Sequence, residues 1–178
     1  MLNYRANHGE RLRDHAPGAG GVADYTEPSL MLPLLRRRDA AAATAELCSL
    51  LQRLGRISDL LPFYHAVLSH ESLSSTAISP GWAMPHARLA GISQLSFALG
   101  RTAEPLAWFG GEPVSLVFLF AVPECDGGAY LNLIASLARL SQDRLRLARL
   151  ADAPDSRSMF EVLQEIPLPK RPAAVVNP

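Results

Sequence analysis

Apolar residues recur along this chain with two different spacings. From Asp39 or Ala40 to Leu54 the sequence is rich in Ala and Leu in a helical pattern, and Gly55 supplies the stop that suits a helix C-terminus. A second helix is expected from Ser58 to about Ser69, with Pro62 in its first turn, where a missing N–H does little harm. Gly128 to Leu140, Asp143 to Ala151 and Ser156 to Glu165 predict three more, the last with Met159, Phe160 and Leu163 on its inner face. Between them lie short, dense apolar runs. Leu30 to Leu35, Trp82 to Met84, Leu95 to Arg101 and Val114 to Val122 read as strands. The last is apolar at every position but Ser115, the signature of a central strand buried on both faces. Helices interspersed with apolar strands predict an α/β layer structure.

The two ends lack such patterns. Residues 16–21, Ala-Pro-Gly-Ala-Gly-Gly, are turn-rich and bury little, which makes residues 1–27 an expected mobile extension. Pro167-Leu168-Pro169-Lys170-Arg171-Pro172 rules out helix, so 167–178 reads as a tail after a single domain at 28–166. The chain has 178 residues, a one-domain length, with 48% hydrophobic and 19% charged residues. Its 17 Lys+Arg balance 17 Asp+Glu, so no global attraction to nucleic acid or membrane is expected and any partner must recognise a local patch. The longest apolar run, Leu116 to Val122, is far short of the ~20 residues a membrane-spanning helix needs. The first residues hold no apolar core of signal-peptide type, and a cytoplasmic location is expected.

Candidate chemistry centres on Gly81-Trp82-Ala83-Met84-Pro85-His86-Ala87-Arg88. Pro85 fixes its own φ and biases Met84 towards an extended conformation, so His86 is expected at a rigid strand end. A neutral imidazole there is a nucleophile near physiological pH, one ring nitrogen attacking while a hydrogen bond holds the other. Other candidates carry less. Cys48 lies in the helical pattern and reads as core. Cys125 follows a strand and precedes Gly127-Gly128, where a helix N-terminus can lower a thiol pKa, but a cysteine phosphatase needs an arginine six positions on, where Leu131 stands. His65 and His70 are five apart and miss the i, i+4 spacing of a metal pair, and His8 and His15 fall in the extension. Neither a metal nor another cofactor is expected. Arg139, Arg144, Arg146 and Arg149 form a local basic patch, read as a solvated helix face that an acidic partner could use.

The segment His70-Glu71-Ser72-Leu73-Ser74-Ser75-Thr76-Ala77-Ile78-Ser79-Pro80-Gly81-Trp82-Ala83-Met84-Pro85-His86 resembles the active-site segment of type-2 enzyme IIA domains. These are the fructose, mannitol and nitrogen-regulatory IIA proteins of the bacterial phosphotransferase system. The family's Arg-Glu-x-x-x-Ser-Thr-x-Ile and Ala-Ile-Pro-His are matched here by Glu71, Ser75, Thr76, Ile78, Ala83, Pro85 and His86, with Met84 a conservative change. Downstream, Gly111-Glu112-Pro113-Val114-Ser115-Leu116-Val117-Phe118-Leu119-Phe120-Ala121-Val122-Pro123-Glu124 looks like the family's Gly-Lys-Pro-Val-Asp-Leu-Val-Phe-Leu-Leu-Ala-Val-Pro-Glu, and the likeness runs over about residues 29–166.

The resemblance implies a mixed β-sheet flanked by helices on both faces, with His86 accepting a phosphoryl group from a histidine-containing phosphocarrier protein charged from phosphoenolpyruvate. Thr76 and Ser75 are expected to offer hydroxyl hydrogen bonds, or else to serve the turn itself. Gly127 and Gly128 at a helix start are candidates to expose backbone N–H groups to phosphate. Glu124 either orients an imidazole or caps the following turn. Two residues depart from the pattern. His70 stands where the family has arginine, and Tyr130 where it often has a second histidine facing the first. A phenol donates one hydrogen bond but brings no imidazolium charge. The expected function is a IIA-like phosphoryl carrier nearer the nitrogen-regulatory branch than a sugar transporter component. The alternative is a phosphorylation-deficient IIA-like module that binds a regulatory partner.

Overall fold

The strand β6, Pro113–Pro123, is the axis of the sheet, and its central residues Leu116 to Val122 are all buried. The computed structural model describes residues 20–78, 81–125 and 127–169. Among these residues the sheet has six strands. In chain order they are β1 (Met31–Leu35), β2 (Ala77–Ile78), β3 (Trp82–Ala83), β4 (His86–Leu89), β5 (Ser96–Ala107) and β6. The spatial order is β1-β5-β6-β3-β2, with β4 also paired to β6. β5 runs antiparallel to β6, while β1 on β5 and both β3 and β4 on β6 are parallel. It is therefore a mixed sheet, and helices flank it: α1 (Ala40–Arg53) and α2 (Leu60–Leu73) pack together against one side. The helices α3 (Gly127–Leu140), α4 (Arg144–Asp152) and α5 (Ser156–Gln164) form a second group, α3 on β6 and α5 on β1.

Local chemistry explains most boundaries. Asp39 caps α1 by accepting the Ala42 N–H at 2.7 Å. At the other end Gly55 takes φ +67°, its N–H donates to the Gln52 carbonyl and that of Arg56 to the Leu51 carbonyl, the paired bonds of a Schellman stop. The core is filled by Trp82, Phe97, Phe118 and Phe120, whose rings lie 5.4–6.0 Å apart along the β3–β6–β5 ladder.

Three expectations change. First, α2 runs past Ser69 to Leu73, because its last turn is inverted: Glu71 is 1% exposed and Leu73 is 87% exposed. Second, β5 continues past Arg101 to Ala107 across a register shift, and Arg101 turns its guanidinium onto the carbonyls of Pro33 (2.9 Å) and Ala153 (2.8 Å). Third, the packed structure reaches beyond 28–166. Residues Val22–Tyr25 and Pro28–Leu30 form short 3-10 turns, Val22 is fully buried, and Gly21 pairs with Pro167 in an antiparallel bridge. Residues 1–19 and 170–178, where the rest of the expected extension and tail fall, lie outside the described residues.

Candidate functional site

Pro85 shapes the site by what it lacks. β3 and β4 run along β6 in one unbroken register, Ala83 opposite Val117 and His86 opposite Phe120, and the ladder is interrupted where Pro85 has no N–H to give. Its carbonyl still accepts the Phe120 N–H at 3.0 Å. His86 therefore stands at a strand end, as expected, with β3 before it and as the first residue of β4. Alternation along β4 puts His86 and Arg88 on one side of the strand and the buried Ala87 on the other.

The His86 ring is half-buried, and its Nδ1 lies 3.4 Å from the Met84 carbonyl oxygen. A carbonyl can only accept, so Nδ1 carries the hydrogen and Nε2 keeps its lone pair. Burial lowers the imidazole pKa below its usual 6.5, the neighbouring His70 lowers it further, and the Met84 carbonyl and Glu71 partly oppose this. The His86 ring is thus held neutral at pH 7. The His70 ring lies 4.4 Å from it, and the Tyr130 ring 5.3 Å on another flank. Ser75, Thr76, His86 and Tyr130 line one open pocket with Ile78, Met84 and Ile134. Residues of three separate segments, Ser75 and Thr76, His86, and Tyr130, thus share one pocket, and the His70 ring stands against His86.

Their hydrogen bonds are less expected. The Thr76 hydroxyl donates to Glu71 Oε1 at 2.6 Å, and the Thr76 N–H donates to Glu71 Oε2 at 3.0 Å. Trp108, from the β5–β6 turn, gives its indole N–H to the same Oε2 at 2.7 Å. The one hydroxyl proton of Thr76 is given to a carboxylate five residues away, which accords with the local turn-serving role that was the alternative expected for it. Ser75 differs: its Oγ accepts the Ala77 N–H at 3.3 Å, so its own proton remains to be donated. The Tyr130 residue is 6% exposed and its hydroxyl has no hydrogen-bond partner among the described residues. Burial pushes the phenol well up, so it is a donor at all physiological pH.

Gly127 and Gly128 open α3 as expected, and both guanidinium nitrogens of Arg88 lie 3.7 Å from where a Cβ on Gly127 would stand. Arg88 and the buried Glu71 are the site residues that sequence reasoning left without a role. The alternation His86-Ala87-Arg88 would have flagged Arg88 once a strand was drawn through His86. Glu124 is exposed and makes no hydrogen bond to His86 among the described residues.

The remaining candidates stay apart from this cluster. Cys48 is buried in α1 with its thiol pushed up to about 12, and Cys125 is exposed with no disulfide. Among the described residues no three His, Cys, Asp or Glu side chains gather as a metal would require. Arg146 and Arg149 of the basic patch are engaged by Asp143 and Glu165. A wider groove lies between β1 and α1, lined by Leu32, Leu34, Arg36, Arg37 and Arg53, and shares no residue with the histidine pocket. No helix among the described residues is long and apolar enough to cross a membrane.

Comparison with known proteins converges on one family. The model of the phosphoenolpyruvate-dependent sugar phosphotransferase system, EIIA 2, matches residues 32–166. The chain is 33% identical over 170 residues to the phosphotransferase system 2-O-alpha-mannosyl-D-glycerate-specific EIIABC component of Escherichia coli K12, covering 93% of this chain and 26% of that protein. It thus spans about a quarter of that relative's length. It is 30% identical over 144 residues to a nitrogen regulatory protein of Bradyrhizobium diazoefficiens, covering 80% of this chain and 94% of that protein. The crystal structure of nitrogen regulatory protein IIA-Ntr from Neisseria meningitidis superposes with a TM-score of 0.71 at 26% identity, covering 80% of this chain and 98% of that one. A histidine held neutral beside a phenol and a second imidazole, on this sheet and under this family match, leads to one conclusion: the chain belongs to the EIIA 2 family of the phosphoenolpyruvate-dependent sugar phosphotransferase system.

Proposed function

We propose that the protein is a phosphoryl carrier with His86 as acceptor, and that it works in the cytoplasm as a regulatory member of its family. The observation that carries this reading is the Nδ1 contact to the Met84 carbonyl, which leaves Nε2 as the nucleophile of a neutral, half-buried ring. The Nε2 lone pair forms a bond to phosphorus of a phosphohistidine on the histidine-containing phosphocarrier protein. The donor P–N bond breaks and its electron pair returns to the donor ring. Such a transfer needs little covalent help beyond position and charge.

Tyr130 and Ser75 are assigned as hydroxyl donors to the phosphoryl oxygens, and His70 as the neighbouring imidazole. Thr76 is assigned a positioning role, since Glu71 holds both its N–H and its hydroxyl. Gly127 and Gly128 are assigned to phosphate binding because a helix start favours an anion, and nothing stands within 4 Å of a Cβ position on Gly128. The regulatory assignment rests on the nitrogen regulatory relative, which the chain covers almost throughout.

Incubation with phosphoenolpyruvate, enzyme I and the phosphocarrier should give an acid-labile, alkali-stable adduct that is absent in His86→Ala. Label that persists in this variant overturns the assignment. The second reading, a IIA-like module that binds a regulatory partner without being phosphorylated, is favoured by His70 and Tyr130 in place of the family's arginine and histidine. It takes precedence if wild type stays unlabelled yet retains a cellular partner.

A further inference from the structure

A cation stands beside His86 in this chain, on the strand that His86 itself opens. In an extended strand residues i and i+2 share a side, separated by about 6.5–7 Å. Arg88 is exposed and reaches across to the first turn of α3, where Nη1 and Nη2 lie 3.7 Å from the Cβ position of Gly127. Tyr130 sits in that same first turn, its ring 5.3 Å from the His86 ring.

Together with the placement of Arg88, one feature marks the space between these groups as an anion site. The Tyr130 hydroxyl is buried with no partner among the described residues. Buried donors are almost always paired, so an unpaired one marks the place of an absent acceptor. The charge of Arg88 also reaches both neighbours, lowering the basicity of His86 and opposing the rise of the Tyr130 phenol. An ammonium would act there as a point charge, whereas a guanidinium offers a fork matched to two oxygens of one phosphoryl group.

We propose that Arg88 and the Tyr130 hydroxyl together bind the oxygens of the phosphoryl group on His86, so that Arg88 supplies from β4 the forked cation that position 70 lacks. This rests on the phosphoryl-carrier reading for its physiological meaning. Arg88 takes no part in making or breaking the P–N bond and acts only on the charge of the group being moved.

The test uses the full chain as wild type, Arg88→Gln, Arg88→Lys and Tyr130→Phe, with two probes that need no protein partner. Inorganic phosphate is titrated while the His86 ring resonances are followed. Phosphoramidate, whose P–N bond breaks with release of ammonia, phosphorylates the histidine directly. Arg88→Gln should weaken phosphate binding and slow labelling by phosphoramidate about 10- to 100-fold, the loss of a charged hydrogen bond. Arg88→Lys should fall between, and Tyr130→Phe should weaken phosphate binding several-fold. Equal phosphate affinity and equal labelling in wild type and Arg88→Gln overturn the proposal, as does a wild type that neither binds phosphate near His86 nor is labelled. If Arg88→Gln slows transfer from the phosphocarrier alone, Arg88 is a docking residue and the proposal fails. If phosphoramidate labels His86 in an Arg88-dependent way while the phosphocarrier does not, the anion site stands and the phosphorelay reading falls.

Discussion

The proposed transfer asks that His86 be neutral to attack phosphorus, while the phosphohistidine it would form carries a dianion that favours cations nearby. The site meets both demands by keeping the ring partly buried while His70 and Arg88 stand beside it. The ring should therefore titrate below 6.5, and His70→Asn should raise its pKa, since the electrostatic effect of His70 and some burial are both removed. Ring-proton NMR titration reads this, and an unmoved or lower value in His70→Asn rejects the assignment. The sign carries over to stability. An unfolded chain binds the proton at the ordinary value near 6.5 and the folded chain only below it, so His86 contributes fully above 6.5 and its contribution is lost as pH falls through the folded value. His86→Gln should flatten that part of the stability profile. Tyr130 sets a second contrast. Removing its unpaired hydroxyl in Tyr130→Phe should leave stability unchanged or raise it by about 1 kcal/mol, while weakening phosphate binding. A clear drop in the unfolding midpoint would reveal a hidden partner. At this scale the motif made His86, His70 and Tyr130 legible, because each is a departure from or a match to a short pattern. It left Thr76 open between phosphate and turn, because the carboxylate that takes its proton stands in the last turn of α2, where the apolar pattern had already ended.

Elements are tied together at the site by Glu71, which joins the end of α2, the Ser74–Thr76 loop and the tip of the β5–β6 hairpin. A buried carboxylate holding three donors is sound only while all three remain. Trp108→Phe keeps most of the ring and removes the indole N–H, so it should cost about 1.5–3 kcal/mol, the range for hydrogen bonds to charged groups. Urea unfolding measures it, and a loss under 0.5 kcal/mol would mean that the indole bond is not maintained in solution. The same anchor explains which elements were hidden in the sequence. Helix α1 and strand β6 declare themselves through composition and end signals. The extension of α2 did not, because its last turn buries Glu71 and exposes Leu73, against the sense of every periodic rule. Strands β2 and β3 have two residues each, too few to show alternation, and β4 is separated from β3 by the very proline that marked the motif. Those short strands, paired from β2 through β3 to β6, are what bring Ser75 and Thr76 to His86.

At the scale of the whole molecule, the two ends of the described chain close on each other and on α3. Val22 donates to the Ile166 carbonyl at 2.9 Å, Leu168 to that of Gly20 at 3.1 Å, and the Ser136 hydroxyl of α3 to that of Pro167 at 3.0 Å. The family match covers residues 32–166, and within 20–27 the one buried residue is Val22, whose backbone partner Ile166 lies far along the chain. Local patterning cannot register so distant a contact, which is why residues 20–27 read as extension. A chain trimmed to 28–166 loses the burial of Val22, about 1.5–3 kcal/mol, and the three hydrogen bonds, each about 1 kcal/mol. Discounting for relaxation at the cut ends, the trimmed chain should be less stable than the full one by about 3 kcal/mol, which at 2–4 °C per kcal/mol lowers its Tm by roughly 10 °C. That is a large share of the 5–15 kcal/mol typical of a domain. A chain spanning 20–169 should recover nearly all of the loss. Coincident unfolding curves for 28–166 and the full chain would show that the paired ends contribute nothing. The loss should also be felt at the site, because the Ser136 tie holds the helix whose first turn carries Tyr130.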